Sequence, residues 1–184
     1  LEKDKQGGLN DDQKSLISSM KEDSERLLKI TGELLNLSQA ESGNIRISLA
    51  ACDPNAVLSR SVEAVQQIAQ KHHVVLEWSA LGQDAVMIAD LEKTSWVLIN
   101  LLSNAIRYSP PESTVNIQVT GLDDKIQFTV KDQGKGIHPD YAAKIFERYY
   151  QVPGSEPGTG IGLAICREFI EAQGGSIWFV SEFG

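Results

Sequence analysis

Apolar residues recur at positions 16, 20, 27, 30, 34 and 37, with Leu28 and Leu35 alongside. Steps of three and four describe one stripe of a long amphipathic helix, and Asp23 interrupts what is otherwise a coiled-coil-like seam. Ser42-Gly43 suits the end of that helix, since glycine serves well as a C-terminal cap. Residues 1–13 are polar and glycine-containing and are expected to be frayed. Such a stripe can pack the helix on its own domain or join two chains. Its narrowness over several heptads favours dimerisation.

After Gly43 the period changes. Ile45, Ile47 and Leu49 alternate with polar residues as a strand does, and Asp53-Pro54 then opens a helix to about Lys71. Strands are predicted at Val74–Ser79 and Val86–Ala89, then a helix over Leu91–Tyr108. Val115–Thr120 and Ile126–Val130 form a hairpin turning through Asp123-Asp124. A glycine-rich turn, a short helix near Tyr141–Tyr149, a loop, a helix from about Gly160 to Ala172 and a strand at Ile177–Val180 complete the chain. Hairpins and helices in this order predict an α/β sandwich with helices on one face of a mixed sheet.

Composition narrows the function. A chain of 184 residues, 41% hydrophobic, holds one good core plus a smaller element. No apolar run approaches a bilayer-crossing length, and no charged-then-oily leader opens the sequence. A net charge of −8 disfavours nucleic acid or an anionic membrane as the main partner. A polyphosphate ligand would therefore need backbone donors, a few placed bases and a divalent cation. Cys52 and Cys166 have no metal-ligand spacing and read as reduced, packed thiols in a cytosolic setting.

Three stretches carry chemistry. In the helix over 91–108, Val97, Leu98, Leu101, Leu102, Ala105 and Ile106 make an oily face. Trp96, Asn100, Asn104 and Arg107 or Tyr108 make a second stripe. A buried amide without partners costs about 1–3 kcal/mol. Amide oxygens suit a hard cation such as Mg²⁺, an arginine suits phosphate and a tyrosine suits a flat base. The same pair of asparagines also suits hydrogen bonds to neighbouring backbone, and both readings stand. In VKDQGKGI, Asp132 at a strand end can accept from an exocyclic amine while Gly134 and Gly136 admit a ring closely, although an ordinary strand-to-loop turn has the same composition. In PGTGIGLAI, Gly158, Gly160 and Gly162 lead into a helix whose free amides suit phosphates; a plain glycine-rich linker would look similar. The stretch follows a loop and no strand, which argues against a Rossmann fingerprint. Phe146, Tyr149 and Tyr150 suit core aromatics, and residues 151–157, with two prolines and no apolar periodicity, suit a mobile lid.

Taken in order, NLLSNAIRYSP, DQGKGI, IFERYY, GTGIGLAI and EAQGGSIWF resemble the ATP-binding domain of two-component sensor histidine kinases. That domain belongs to the wider ATPase superfamily (GHKL, with the Bergerat fold) shared with gyrase, MutL and the heat-shock chaperone. The resemblance covers residues 49–184, and LLNLSQAESG before it is similar to the second helix of the family's dimerisation bundle. It implies an α+β two-layer sandwich behind a long dimerisation helix, with residues 1–48 as a partial dimerisation region. ATP and Mg²⁺ are the implied ligands. Asn100 would ligate the metal and Asn104 would face the nucleotide; Arg107, standing where the family usually has lysine, would meet phosphate, with Arg148 as a second contact. Tyr108 would lie on the adenine and Asp132 would bind its amino group, with Gly134 and Gly136 making room and Ile137 flanking them. Gly158, Thr159, Gly160, Ile161, Gly162 and Leu163 would cradle the phosphates. The implied reaction transfers the γ-phosphoryl to a histidine and then to a response-regulator aspartate. The implied partners are a second copy bound through the N-terminal helix and a receiver domain, in the cytoplasmic part of a membrane-bound sensor.

The chain also departs from the family. Its histidines are His72, His73 and His138, and none matches the phosphoacceptor motif. No catalytic residue is therefore assigned, and the chain is expected to be a fragment that lacks the first bundle helix and does not phosphorylate itself. The family's final strand after SEFG is likewise expected to be missing, leaving a sheet edge open. Trp96 stands where the superfamily's hydrolases have glutamate and can activate no water. Asp90 and Glu92 fall off the ligand stripe, and residues 151–157 contain no Lys or Arg. Rapid hydrolysis is thus not expected, and a catalytically weak nucleotide-sensing or dimerisation module is the alternative reading.

Overall fold

Asn10 sets where the first helix begins. Its Oδ1 accepts from the Gln13 N–H at 2.8 Å while Gln13 Oε1 accepts from the Asn10 N–H at 3.0 Å, a reciprocal cap that satisfies two orphan donors. A computed structural model of the chain describes residues 10–41, 45–82, 85–155 and 158–184. In it α1 runs over Asp11–Glu41. The expected fraying is thereby corrected for residues 10–13, while residues 1–9 and the Ser42-Gly43 cap lie outside the described residues.

The strand expected at Ile45–Leu49 does not form a ladder. Ile45 is drawn onto the apolar cluster around the last helix, and the Ser48 N–H donates to Asp90 Oδ2 at 2.9 Å. Pairing starts instead at β1 (Ala50–Cys52), antiparallel to β3 (Met87–Ala89). Asp53 caps α2 (Pro54–Lys71) by accepting from the Asn55 N–H, with Pro54 in the first turn where its missing N–H costs nothing. Asp90 caps α3 (Leu91–Tyr108), whose bounds match the periodicity. The second sheet is mixed: β4 (Thr114–Leu122) lies between β2 (Val75–Ser79), parallel to it, and β5 (Lys125–Lys131), antiparallel through the Asp123-Asp124 turn.

Alternate residues of β4 explain the layering. Val115, Ile117 and Val119 are buried against Leu98, Leu102 and Ile106 of α3 and Val57, Leu58 and Val65 of α2. Full burial of each such side chain contributes about 1.5–3 kcal/mol. The result is the expected α+β two-layer sandwich with helices on one face, although the strands fall into two short sheets. Val97 on α3 belongs to a second cluster with Ile161, Ile165, Cys166 and Phe169, which seats α5 (Gly162–Glu171) beside α3.

Three further elements differ from expectation. The helix near Tyr141–Tyr149 shrinks to α4 (Pro139–Ala142) followed by turns, and Tyr149 has φ 63°, which a right-handed helix excludes. Gly160 has φ 69°, so α5 starts two residues later than its glycines suggest. Residues 177–180 alternate as a strand does, with Phe179 against Phe146 and Trp178 and Val180 exposed. Among the described residues they join no ladder. Period-two alternation fixes which way side chains face, whereas a strand also needs a second backbone.

Candidate functional site

The polar stripe of α3 is held in place by its oily faces. With Leu98, Leu102 and Ile106 turned into the sheet and Val97 onto α5, Asn100 faces the start of α5 and is only 8% exposed. Asn104 Nδ2 donates to Asn100 Oδ1 at 3.3 Å. The Asn100 amide also presses on Gly162, where a Cβ would come within 2.7 Å of Nδ2 and 3.0 Å of Oδ1. Glycine at 162 is what allows this approach.

The N-terminus of α5 beside that amide has no side-chain cap, so its first N–H groups and its positive dipole end suit an anion. Gly160 leads into it, packed so closely on the Tyr149 and Tyr150 carbonyls that a Cβ would lie 2.9 Å from each oxygen. Thr159 Oγ1 accepts from the Ile161 N–H, and Gln151 Nε2 donates to the Gly158 carbonyl across the 151–158 loop. Residues 151–155 of the expected lid are described, and 156–157 lie outside the described residues.

Asp132 follows β5. Its Oδ1 accepts from the Gly134 N–H at 2.8 Å, a tight Asx turn, and a Cβ on Gly134 would lie 2.9 Å from the Tyr108 carbonyl. The 132–137 loop therefore abuts the last turn of α3, where Tyr108 is 40% exposed and Arg107 provides a cation. Through α3, Asn104 and Asn100 are thus connected to Gly162, and Tyr108 to Gly134 and Asp132, which brings together residues that the family resemblance grouped.

Two assigned residues stand differently. Arg148 Nε and Nη2 both donate to Glu168 Oε1, at 3.0 and 2.6 Å, so its guanidinium is held on α5 rather than presented to phosphate. Ile161 is 4% exposed in the α5 cluster, which leaves its backbone alone available to a ligand. Apolar side chains follow the core even inside a binding motif. Leu163 is half-buried in the first turn of α5, and Ile137 gives its N–H to Ser181 Oγ.

A cleft of about 400 Å³ adjoins Asn100 and Arg107. Trp96 and Ser103 of α3 line it together with Leu28 and Gly32 of α1, Ile68 of α2 and His72, which follows α2. Ser103 and His72 were not singled out by sequence. Ser103 falls on the 96, 100, 103, 107 stripe and was legible there; His72 is far away in sequence. Trp96 packs edge-on against Phe169 with centroids 5.5 Å apart. Asp90 is occupied by the Lys93 and Ser48 N–H groups, and Glu92 by the Arg60 guanidinium.

Among the described residues no group of three His, Cys, Asp or Glu side chains could hold a metal. The Asn100 oxygen, with one internal donor on it, fits a hard cation that takes its other ligands from water and phosphate.

The model of the histidine kinase-, DNA gyrase B- and HSP90-like ATPases matches residues 89–184. The sensor protein KdpD of Clostridium acetobutylicum is 31% identical over 172 residues, covering 91% of this chain and 19% of the relative. The sensor histidine kinase WalK of Bacillus subtilis is 30% identical over 162 residues, covering 85% and 26%. The crystal structure of full-length ShkA in complex with AMPPNP is 27% identical and superposes with a TM-score of 0.79, over 97% of this chain and 38% of that one. The chain thus spans about a quarter or less of the two curated relatives. With a match over more than half its length and sensor kinases as relatives, the chain belongs to the histidine kinase-, DNA gyrase B- and HSP90-like ATPase family.

Proposed function

We propose that this chain is the nucleotide-binding part of a two-component sensor histidine kinase, holding Mg·ATP between α3, the 132–137 loop and the start of α5. One observation carries the reading: the buried Asn100 amide lies against Gly162 at an uncapped helix N-terminus. Asp132, with Oδ1 engaged by Gly134, has Oδ2 left to accept from the adenine amine. Tyr108 offers the exposed ring on which a base can lie. Arg107 and the α5 amides bear the phosphate charge. Asn100 would hold Mg²⁺, which would supply shielding of the phosphate charge. Phosphoryl transfer needs positioning and charge stabilisation more than covalent help from the protein. The γ-phosphorus–oxygen bond breaks to leave ADP, and a phosphorus–nitrogen bond forms to a histidine imidazole on a bundle helix, whose ring proton passes to solvent. A receiver-domain aspartate is the next acceptor, and residues 1–48 form part of the dimerisation region. The engagement of Asp90, Glu92 and Trp96 in capping, pairing and packing supports slow hydrolysis.

Calorimetric titration with a non-hydrolysable ATP analogue tests the pocket. Asp132→Ala is expected to weaken binding about tenfold or more, the worth of a hydrogen bond to a charged group, and omission of Mg²⁺ should weaken wild type further. Supplying the acceptor helix with labelled ATP should then give an acid-labile phosphoprotein. An unlabelled acceptor in the presence of bound nucleotide would overturn the transferase assignment in favour of a nucleotide-sensing module.

A further inference from the structure

The 132–137 loop is bounded on its second side by the C-terminal residues. Ser181 Oγ accepts from the Ile137 N–H at 2.8 Å. A Cβ on Gly136 would fall inside the van der Waals radius of the Glu182 carbonyl oxygen, and Gly136 has φ 70°. The Phe183 ring meets His138 edge-on, with centroids 5.0 Å apart and planes at 81°, while His138 Nδ1 accepts from the Asp140 N–H to start α4. The Gly184 N–H reaches the Lys135 carbonyl at 3.4 Å. Residues 181–184 therefore touch residues 135–138 through two hydrogen bonds, one close backbone approach and one ring contact. On the other side the loop abuts the Tyr108 carbonyl through Gly134.

We propose that Ser181–Phe183 form a clamp that positions the adenine-binding loop, with Ser181 as the positioning residue. The inference rests on the reading of Asp132 as the adenine acceptor. The direction of the Asp132 carboxylate is set by the Asx turn to Gly134, and the course of that turn is set by its two walls. One wall is α3, which the core holds rigidly. The other is the clamp, whose fastening is the Ser181 hydroxyl, with the Phe183 ring edge-on to His138 and glycine at 136 allowing the backbones to meet. Ser181 touches no reacting atom and acts through the Ile137 amide on where Asp132 points. Base recognition should therefore depend on Ser181, and phosphate recognition by the α5 amides should not.

Ser181→Val removes the acceptor, and Ser181→Thr, which has the shape of valine, keeps it. Three ligands are titrated in the whole chain: the ATP analogue, the GTP analogue and magnesium tripolyphosphate, which has no base. Amide hydrogen exchange at Ile137 is followed without ligand. Ser181→Val is expected to weaken the ATP analogue about 2- to 10-fold, the worth of one hydrogen bond. It should also narrow the ATP-to-GTP ratio, leave tripolyphosphate unchanged and speed exchange at Ile137, with Ser181→Thr restoring wild-type values. Equal losses for ATP analogue and tripolyphosphate, or an unchanged ATP affinity in a protein that binds ATP, overturn the clamp. A wild type that binds no adenine nucleotide, while Ile137 exchange still responds to Ser181→Val, overturns the nucleotide reading and with it the role given to Ser181. Unchanged Ile137 exchange overturns the contact itself.

Discussion

Asn100 and Gly162 depend on each other. A methyl at 162 would meet the Asn100 amide at 2.7 Å, and that amide, paired with Asn104 and nearly buried, has little room to turn away. Overpacking of this kind costs about 1–3 kcal/mol. Gly162→Ala is expected to lower affinity for the ATP analogue about tenfold with a smaller change in thermal midpoint, as titration and calorimetry will show. Cys52 gives a second residue-level expectation. Burial pushes its thiol up, and the negative charges of Asp53 and Asp90 add to the rise. A higher pKa leaves less thiolate at neutral pH, so Cys52 should alkylate more slowly than free cysteine, and the rate should climb with pH into a more alkaline range. Cys166 is fully buried, so in the folded protein mass-spectrometric labelling with iodoacetamide should report Cys52. The asparagine stripe was legible in sequence because helical spacing shows it. That Arg148 pairs with Glu168, twenty residues on, was not, because no local period links an arginine in a turn to a carboxylate on a later helix.

At the scale of elements, caps and turns carry most of the information. The bounds of α3 follow from Asp90 at one end and Ser109-Pro110 at the other, and those of α2 from Asp53-Pro54. Asp90 does more than cap, because its carboxylate also takes the Ser48 N–H and its own N–H donates to Gln173 Oε1 at 2.7 Å. One residue thereby joins three elements, its carboxylate holding the approach to β1 and the start of α3 and its backbone N–H holding the turn after α5. Asp90→Ala is expected to cost about 2 kcal/mol, a lost cap plus an unpaired N–H. The thermal midpoint should fall by about 4–8 °C; a fall under one degree would show that the Asp90 carboxylate does not hold the approach to β1 and the start of α3 together. The two misplaced strands have a common cause. The alternation at 177–180 sets side-chain direction correctly, and that at 45–49 does so until Leu49, which is exposed, yet a ladder needs a neighbouring backbone that alternation does not encode.

For the whole molecule, α1 raises the question of assembly. Among its described apolar side chains Leu16 is 62% exposed, Leu27 63% and Leu28 72%, while Ile30 is half-buried. A stripe of that length on a helix favours association with another helix. We expect sedimentation to show concentration-dependent dimers, and Leu16→Glu with Leu27→Glu to give a monomer that still binds the ATP analogue. A wild type that stays monomeric at high concentration would remove the dimerisation reading without touching the pocket. Among the described residues no helix is long and apolar enough to cross a membrane.

By itself the sequence determined the long helices, the hairpin, the two-layer class and the three polar stretches. Periodicity, caps and turn residues are local properties, and each is written within a few neighbouring positions. Only the tertiary structure decided which groups meet. It set the Asn100 amide on Gly162, closed Arg148 onto Glu168, sank Ile161 into the core and laid Ser181 on the Ile137 amide. Those meetings follow from how two apolar clusters seat α3 and α5 together, and such long-range packing leaves no period in the chain for a reader to find.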